Sequence, residues 1–251
     1  MYRRTLLLFL VLLFTGCFGG HRRSREPVAV GPGNVTIQYL GHASFRVSSS
    51  IGLSVLLDPF DPSLFTYSVK VASVPADIIF VTHEDQTSNY TDLASGSPQI
   101  FRSSMAAGIN RASGILAKGI RTSSENLSAS SRLNVAFAWA MDGIRFCDLG
   151  AIEDAISPSE ALNIGTVDVL FLPVGGPPNF TQEKRRITVE RLKPRIVIPM
   201  MYATSHSGKV PLGSLGEWLS RQPHVVRVGS TFTLNQATLP LVTTVYVATP
   251  R

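Results

Sequence analysis

Charge is scarce in this chain. Only 16% of its 251 residues are charged, against 44% hydrophobic, a balance that excludes an intrinsically disordered protein and predicts one large core or two modest ones. Long apolar runs are missing too. The longest, residues 6–14, falls well short of the roughly 20 residues that a spanning helix needs. No internal repeat is found, so a solenoid is not expected. Gly175-Gly176-Pro177-Pro178 is a tight loop after a strand, but it lacks the spacing and the lysine of a phosphate-binding loop. Cysteine is limited to Cys17 and Cys147. The net charge of +6 is unevenly placed, because Arg3, Arg4, Arg22, Arg23 and Arg25 all precede the first strand. The basic excess therefore belongs to the N-terminal segment, and no nucleic acid is expected as a partner.

That segment is organised as a unit. Arg3-Arg4 forms a positive n-region, residues 6–14 an apolar core, and Thr15-Gly16 supply small residues before Cys17. The pattern resembles a bacterial lipoprotein signal, cut before Cys17, with Cys17 then carrying lipid. An uncleaved anchor or an ordinary secretory signal are the alternatives, and all three place the folded part outside the cytoplasm. Residues 17–33, rich in Gly, Pro and Arg, read as a flexible tether. With Cys17 lipidated, Cys147 has no disulfide partner. The expected organisation is a signal peptide at 1–16, a tether at 17–33 and a single domain at 34–251. The protein is expected to be extracytoplasmic and held to a bacterial membrane, at its periplasmic face or the cell surface.

Period-two alternation predicts a strand over 35–40, a turn at Gly41-His42-Ala43-Ser44, and a return strand from Phe45. Residues 53–57 form a buried strand stopped by Asp58-Pro59, and 61–75 read as loop. Residues 78–82 form a second buried strand, opening into the polar loop His83-Glu84-Asp85-Gln86-Thr87-Ser88. Strands follow at 99–101, 115–122, 135–141 and 144–149, the last two joined by the hairpin signal Asp142-Gly143, and 103–110 reads as a turn or short helix. In the second half, helices over 157–163, 181–192 and 211–221 alternate with buried strands at 168–174 and 195–200. Strands at 225–228, 231–234 and 243–248 close the chain.

The motifs LGHAS (40–44), LLDP (56–59), VTH (81–83), GSPQIF (96–101), DGIRFCDLG (142–150), DVLFLPVGG (168–176) and LKPRIVIPMMY (192–202), in this order, resemble hydrolases of the metallo-β-lactamase fold. They are most similar to the lactonase-like, Zn-dependent subgroup, over about residues 35–202. The resemblance implies an α/β (α+β) fold, a four-layer αββα sandwich of two mixed β-sheets with helices on the outer faces. It also implies a site on one edge, built from loops at strand ends.

The family's metal ligands are mostly replaced. Of the first-loop pattern His-x-His-x-Asp-His only His83 remains, followed by Asp85, Thr87 and Ser88 at the other ligand positions. Ser124 stands near a further His position, Asp148 replaces a His, Ala151 a bridging Asp, and Met201 the His of the last motif. A hydrolytic zinc site needs about three N, S or O ligands and an open position. His83, Asp85 and Asp148 are the residual candidates, a set suited to a harder cation. Ser88, Ser124, Met201, His42 and Asp58 are expected to line the pocket. Cys147, on the opposite face of its strand from Asp148, is expected to be an inert buried thiol. A Ser-His-Asp hydrolase lacks its G-x-S-x-G elbow. The scaffold turns are kept while the ligands are lost. The expectation is therefore a non-catalytic binding or scaffold protein without a cofactor, its partners the membrane and an unknown small molecule or protein. The alternative is a metal-dependent hydrolase of a lactone, phosphoester or similar small substrate, using zinc, manganese or magnesium at the reduced site.

Overall fold

Alternating burial sets the frame. In the computed structural model, which describes residues 33–122 and 133–250, Val35, Ile37 and Tyr39 turn inward from the first strand while Thr36 and Gln38 between them are partly exposed. Cys17 and Ser124 lie outside the described residues. In chain order the strands are β1 (Asn34–Gly41), β2 (Ser44–Ser48), β3 (Ser54–Leu57), β4 (Val74–Pro75), β5 (Ile78–Val81), β6 (Ala94–Ser95), β7 (Gln99–Arg102), β8 (Gly108–Ala112), β9 (Ile115–Arg121), β10 (Val135–Met141), β11 (Ile144–Asp148), β12 (Val169–Pro173), β13 (Ile196–Met200), β14 (Val225–Val228), β15 (Thr231–Asn235) and β16 (Thr244–Ala248). The helices are α1 (Pro158–Ile164), α2 (Gln182–Leu192) and α3 (Leu215–Leu219).

One sheet runs β15-β1-β2-β3-β5-β7, antiparallel as far as β3 and parallel from β3 to β7. The other runs β14-β16-β13-β12-β11-β10-β9-β8, parallel from β14 to β11 and antiparallel beyond. Both are mixed, as expected. Aromatic rings lock them face to face. Phe45 packs on Phe171 at 4.8 Å and Phe80 stacks on Phe137 at 4.5 Å between ring centres, geometries that add to the area each ring buries.

Since Phe171 points between the sheets, Leu170 and Leu172 of β12 point outward. Tyr246 of β16 likewise faces inward, against Phe232, so Val245 faces out. The helices cover this outer face. Helix α1 starts at a capping box: the Ser157 hydroxyl accepts from the Glu160 N–H at 3.2 Å, and the Glu160 carboxylate accepts from the Ser157 N–H at 2.6 Å, which satisfies donors the first turn would leave open.

The other outer face departs from the four-layer expectation in detail. Over the six-stranded sheet, Leu40, Leu56, Ile79 and Val81 are buried beneath Phe60, Phe65, Tyr67 and Leu93. These come from irregular segments with 3-10 turns rather than from an α-helix.

Besides the two-residue strands β4 and β6, two longer segments change. Residues 103–110 hold a tight turn, with the Met105 and Ala106 N–H groups on the Arg102 carbonyl, and then enter β8, which pairs with β9. The expected helix over 211–221 shrinks to α3. The Gly213 N–H bonds the Gly175 carbonyl at 2.5 Å and the Gly213 carbonyl accepts from the Ala203 N–H at 2.9 Å; both are tertiary pairings that a helix could not make.

Candidate functional site

β1, β3, β5, β11, β12 and β13 all end on one edge of the sandwich, each running into a loop there. The Met201 N–H donates to the His42 carbonyl at 3.0 Å and the Val135 N–H to the Thr82 carbonyl at 2.9 Å, which ties the edges of the two sheets together. Gly150 closes the floor. Its φ is +58°, and a Cβ there would lie 2.3 Å from Thr82 Oγ1, so only glycine lets the β11 loop approach. His42, Asp58 and Met201 also have positive φ, at 53°, 38° and 54°. Left-handed backbone is uncommon outside glycine and clusters where function constrains the chain.

His83 is buried at the end of β5. Its Nδ1 meets Thr82 Oγ1 at 2.8 Å, and that hydroxyl donates to Asp58 Oδ2 at 2.7 Å. Asp58 Oδ1 also accepts from the Thr82 N–H at 2.8 Å. The chain Asp58–Thr82–His83 thus assigns the proton to Nδ1 and turns Nε2 toward Asp85, whose Oδ2 lies 3.6 Å away. Asp85 also caps its own loop, taking the Thr87 N–H at 2.8 Å and the Thr87 hydroxyl at 2.5 Å. Ser88 belongs to the loop frame more than to a pocket: its hydroxyl donates to the His83 carbonyl at 2.5 Å.

Asp148, fully buried at the end of β11, takes the Gly150 N–H on Oδ1 at 3.0 Å, while Oδ2 has no hydrogen-bond partner among the described residues. Burial raises its carboxyl to about 7. Asp58 is also pushed up, by burial first and then by the negative charge of Asp148, against the Thr82 hydrogen bonds. His42, packed on Phe65 at 5.0 Å, has neither ring nitrogen hydrogen-bonded among the described residues. Burial, and secondarily His83, pull it down to about 3. Cys147 is buried beside Asp148, and burial raises its thiol out of the reactive range, as its strand position implies.

Thr82 and Asn134 carry more of the site than the sequence reading allots them. Asn134 bonds the Leu149 carbonyl at 2.9 Å and accepts from the Ala151 N–H at 2.9 Å, pinning the β11 loop. The VTH motif placed Thr82 next to a ligand position and was the available signal; Asn134 had none. His206 does not join the site: its Nδ1 lies 3.2 Å from Thr66 Oγ1 and its ring packs on Tyr67 at 5.4 Å.

A metal must be weighed against these donors. Orphaned buried atoms on Asp148 and His42 suit a charged guest. Yet among the described residues no three His, Cys, Asp or Glu side chains are grouped so as to hold a metal ion. Asp148 acts electrostatically on Asp58, and Ala151 and Met201 offer no suitable donor. The residues present do not form the family's metal cage.

A mixed two-sheet sandwich with a site on the strand-end edge defines a protein of the metallo-β-lactamase class. Residues 36–201 match the beta-lactamase superfamily domain, and the chain belongs to that family. It is similar to a UPF0173 metal-dependent hydrolase of Thermococcus kodakarensis, 30% identical over 196 residues, covering 68% of this chain and 85% of the relative. A UPF0173 metal-dependent hydrolase of Thermococcus onnurineus is 26% identical over the same length and coverage. Among solved structures, one from Thermotoga maritima, described as a Zn-dependent hydrolase of the metallo-beta-lactamase superfamily, has a TM-score of 0.69 at 25% identity, covering 86% of this chain and all of that one. The relatives are named for metal-dependent hydrolysis. These likenesses favour the hydrolase alternative over the non-catalytic role that the replaced ligands suggest.

Proposed function

We propose that this chain is a hydrolase of the metallo-β-lactamase fold acting on a small lactone, phosphoester or similar substrate at the His83 edge. The observation that carries the reading is the buried group His42, Asp58, His83 and Asp148, in which burial shifts the proton affinities of His42, Asp58 and Asp148. A purely structural edge would be more stable with apolar residues there, because isolated buried polar groups cost free energy, and perturbed titratable clusters mark functional sites. Asp148, protonated near neutrality, is suited to donate a proton to a leaving oxygen, and the His83–Asp85 pair to orient water. A divalent metal is what the relatives' names suggest.

The test is a rate measurement on γ-butyrolactone, p-nitrophenyl acetate and bis(p-nitrophenyl) phosphate. It is run as purified, with EDTA, and with added zinc or manganese, beside elemental analysis. Hydrolysis that His83→Ala lowers at least about tenfold supports the proposal; no turnover under any condition sinks it. A non-catalytic binding role is the second reading, favoured by Ala151 and Met201 at ligand positions, and that null result would favour it.

We further propose that Cys17 is lipidated and anchors the domain outside the cytoplasm, on the strength of the Arg3-Arg4, 6–14 and Thr15-Gly16-Cys17 sequence pattern. Incorporation of labelled palmitate that Cys17→Ser abolishes supports this; equal labelling of the variant rejects it.

A further inference from the structure

On the outer face of the large sheet, a cavity of about 400 Å³ opens between α2, α3 and β16. That volume lies within the usual range for a small-molecule site. One wall is apolar: Val189, Trp218 and Val245, with Trp218 only 3% exposed. The polar wall carries Arg185, Arg221 and His224.

Arg185 is the unusual group. It is 8% exposed, yet no carboxylate forms an ion pair with it among the described residues. Its Nε donates to the Pro173 carbonyl at 3.2 Å and its guanidinium sits 5.6 Å over the Phe180 ring. The remaining guanidinium donors have no protein acceptor among the described residues. Glu217 acts on it only at a distance. The next residue shows the contrast, since Arg186 is clasped by Glu183 at 2.5 Å and Glu190 at 2.6 Å. The free guanidinium donors open into the cavity with no ion-paired carboxylate in front of them, so an anion there would meet a fork of charged donors.

We propose that this cavity binds a small amphipathic carboxylate, its carboxylate on Arg185 and its apolar body against Trp218 and Val189. Charge complementarity favours an anion, since three arginines line the cavity against two glutamates that Arg186 already engages. The flat indole favours a ring-bearing or aliphatic body over an inorganic ion.

The experiment is a titration of the purified full chain with 2-naphthoate, followed by calorimetry and by Trp218 fluorescence. Trp139, buried between the sheets, provides the unresponsive background. The neutral 2-naphthamide is the comparison ligand. One saturable site is expected, with the amide at least about tenfold weaker and Arg185→Met reducing naphthoate affinity at least about tenfold. Val189→Trp, which fills the cavity while leaving Arg185 in place, is expected to abolish binding and stands in if Arg185→Met does not fold. No saturation at millimolar naphthoate, equal affinity for the amide, or unchanged binding by Val189→Trp would overturn the proposal.

Discussion

Thr82 is the hinge of the site's polar chain, donating once from its backbone and once from its side chain to a carboxylate with no exposure to water. Thr82→Val keeps the shape and removes one donor, leaving Asp58 under-bonded and His83 Nδ1 unanchored. A loss of about 1–3 kcal/mol is expected in urea unfolding, largely restored by Thr82→Ser; an unchanged midpoint would refute the linkage. Two further groups oppose each other in pH. Asp148, raised to about 7 from 3.8, holds a proton in the native state that the unfolded state has released, so between those values its contribution falls as pH rises. His42, lowered from 6.5 to about 3, is neutral when native and charged when unfolded, so its contribution is lost as pH falls through the same window. Asp58, raised in the same direction as Asp148, adds to the falling side, so the wild type should lose stability as pH rises across this window. Relative to the wild type, Asp148→Asn should lose less stability between about pH 4 and 7 and His42→Gln should lose more, each difference on the order of a few kcal/mol. Parallel profiles for all three proteins would contradict these assignments. The sequence pointed to His42, Asp58, His83, Asp85 and Asp148 because family motifs mark strand ends. It could not show which of them converge: the Asp58–Thr82–His83 chain joins residues 24 positions apart, and side-chain direction at a loop has no sequence period.

Strands and caps were readable where local chemistry agrees with tertiary packing. The Asp142-Gly143 hairpin and the Ser157-Pro158 helix start fall where turn and cap rules put them. β8 was not readable, because its partner decides it: Gly108 pairs with Gly119, and the Ala106 carbonyl sits where a Gly119 side chain would be. A Cβ at Gly119 would lie 1.9 Å from that oxygen. Since the obstacle is backbone, Gly119→Ala is expected to cost about 2–4 kcal/mol. Gly114, in the β8–β9 turn, has φ +84° but open space around it, so Gly114→Ala should cost only about 1 kcal/mol through conformational strain. Thermal denaturation of the two variants separates the causes. Equal losses would mean that the close approach of Ala106 does not limit this edge.

At the scale of the molecule, the two ends of the sandwich differ in role. β1 begins at Asn34, where the Gly33 carbonyl accepts from Asn235 Nδ2 at 3.5 Å and the Ser50 N–H bonds Asp142 at 2.6 Å. It ends at Gly41, beside His42. Its eight residues separate the two ends by roughly 27 Å. The segment proposed as a tether therefore joins the domain at the end away from the site. Residues 17–32 number sixteen, a reach of at most about 55 Å. A lipid on Cys17 would keep the domain within that reach of the bilayer, and because the reach is about twice the length of β1 it would leave the His83 edge free to face water and a soluble substrate. Cys17→Ser should then move the protein from the membrane fraction to the soluble fraction. Its melting temperature and its kcat/KM for a water-soluble ester should stay within about twofold of the anchored protein's, since neither depends on contacts at the tethered end. Retention of the variant in membranes would reject the anchor. Release accompanied by a large loss of activity would show instead that the bilayer forms part of the site, and would place the working edge against the membrane.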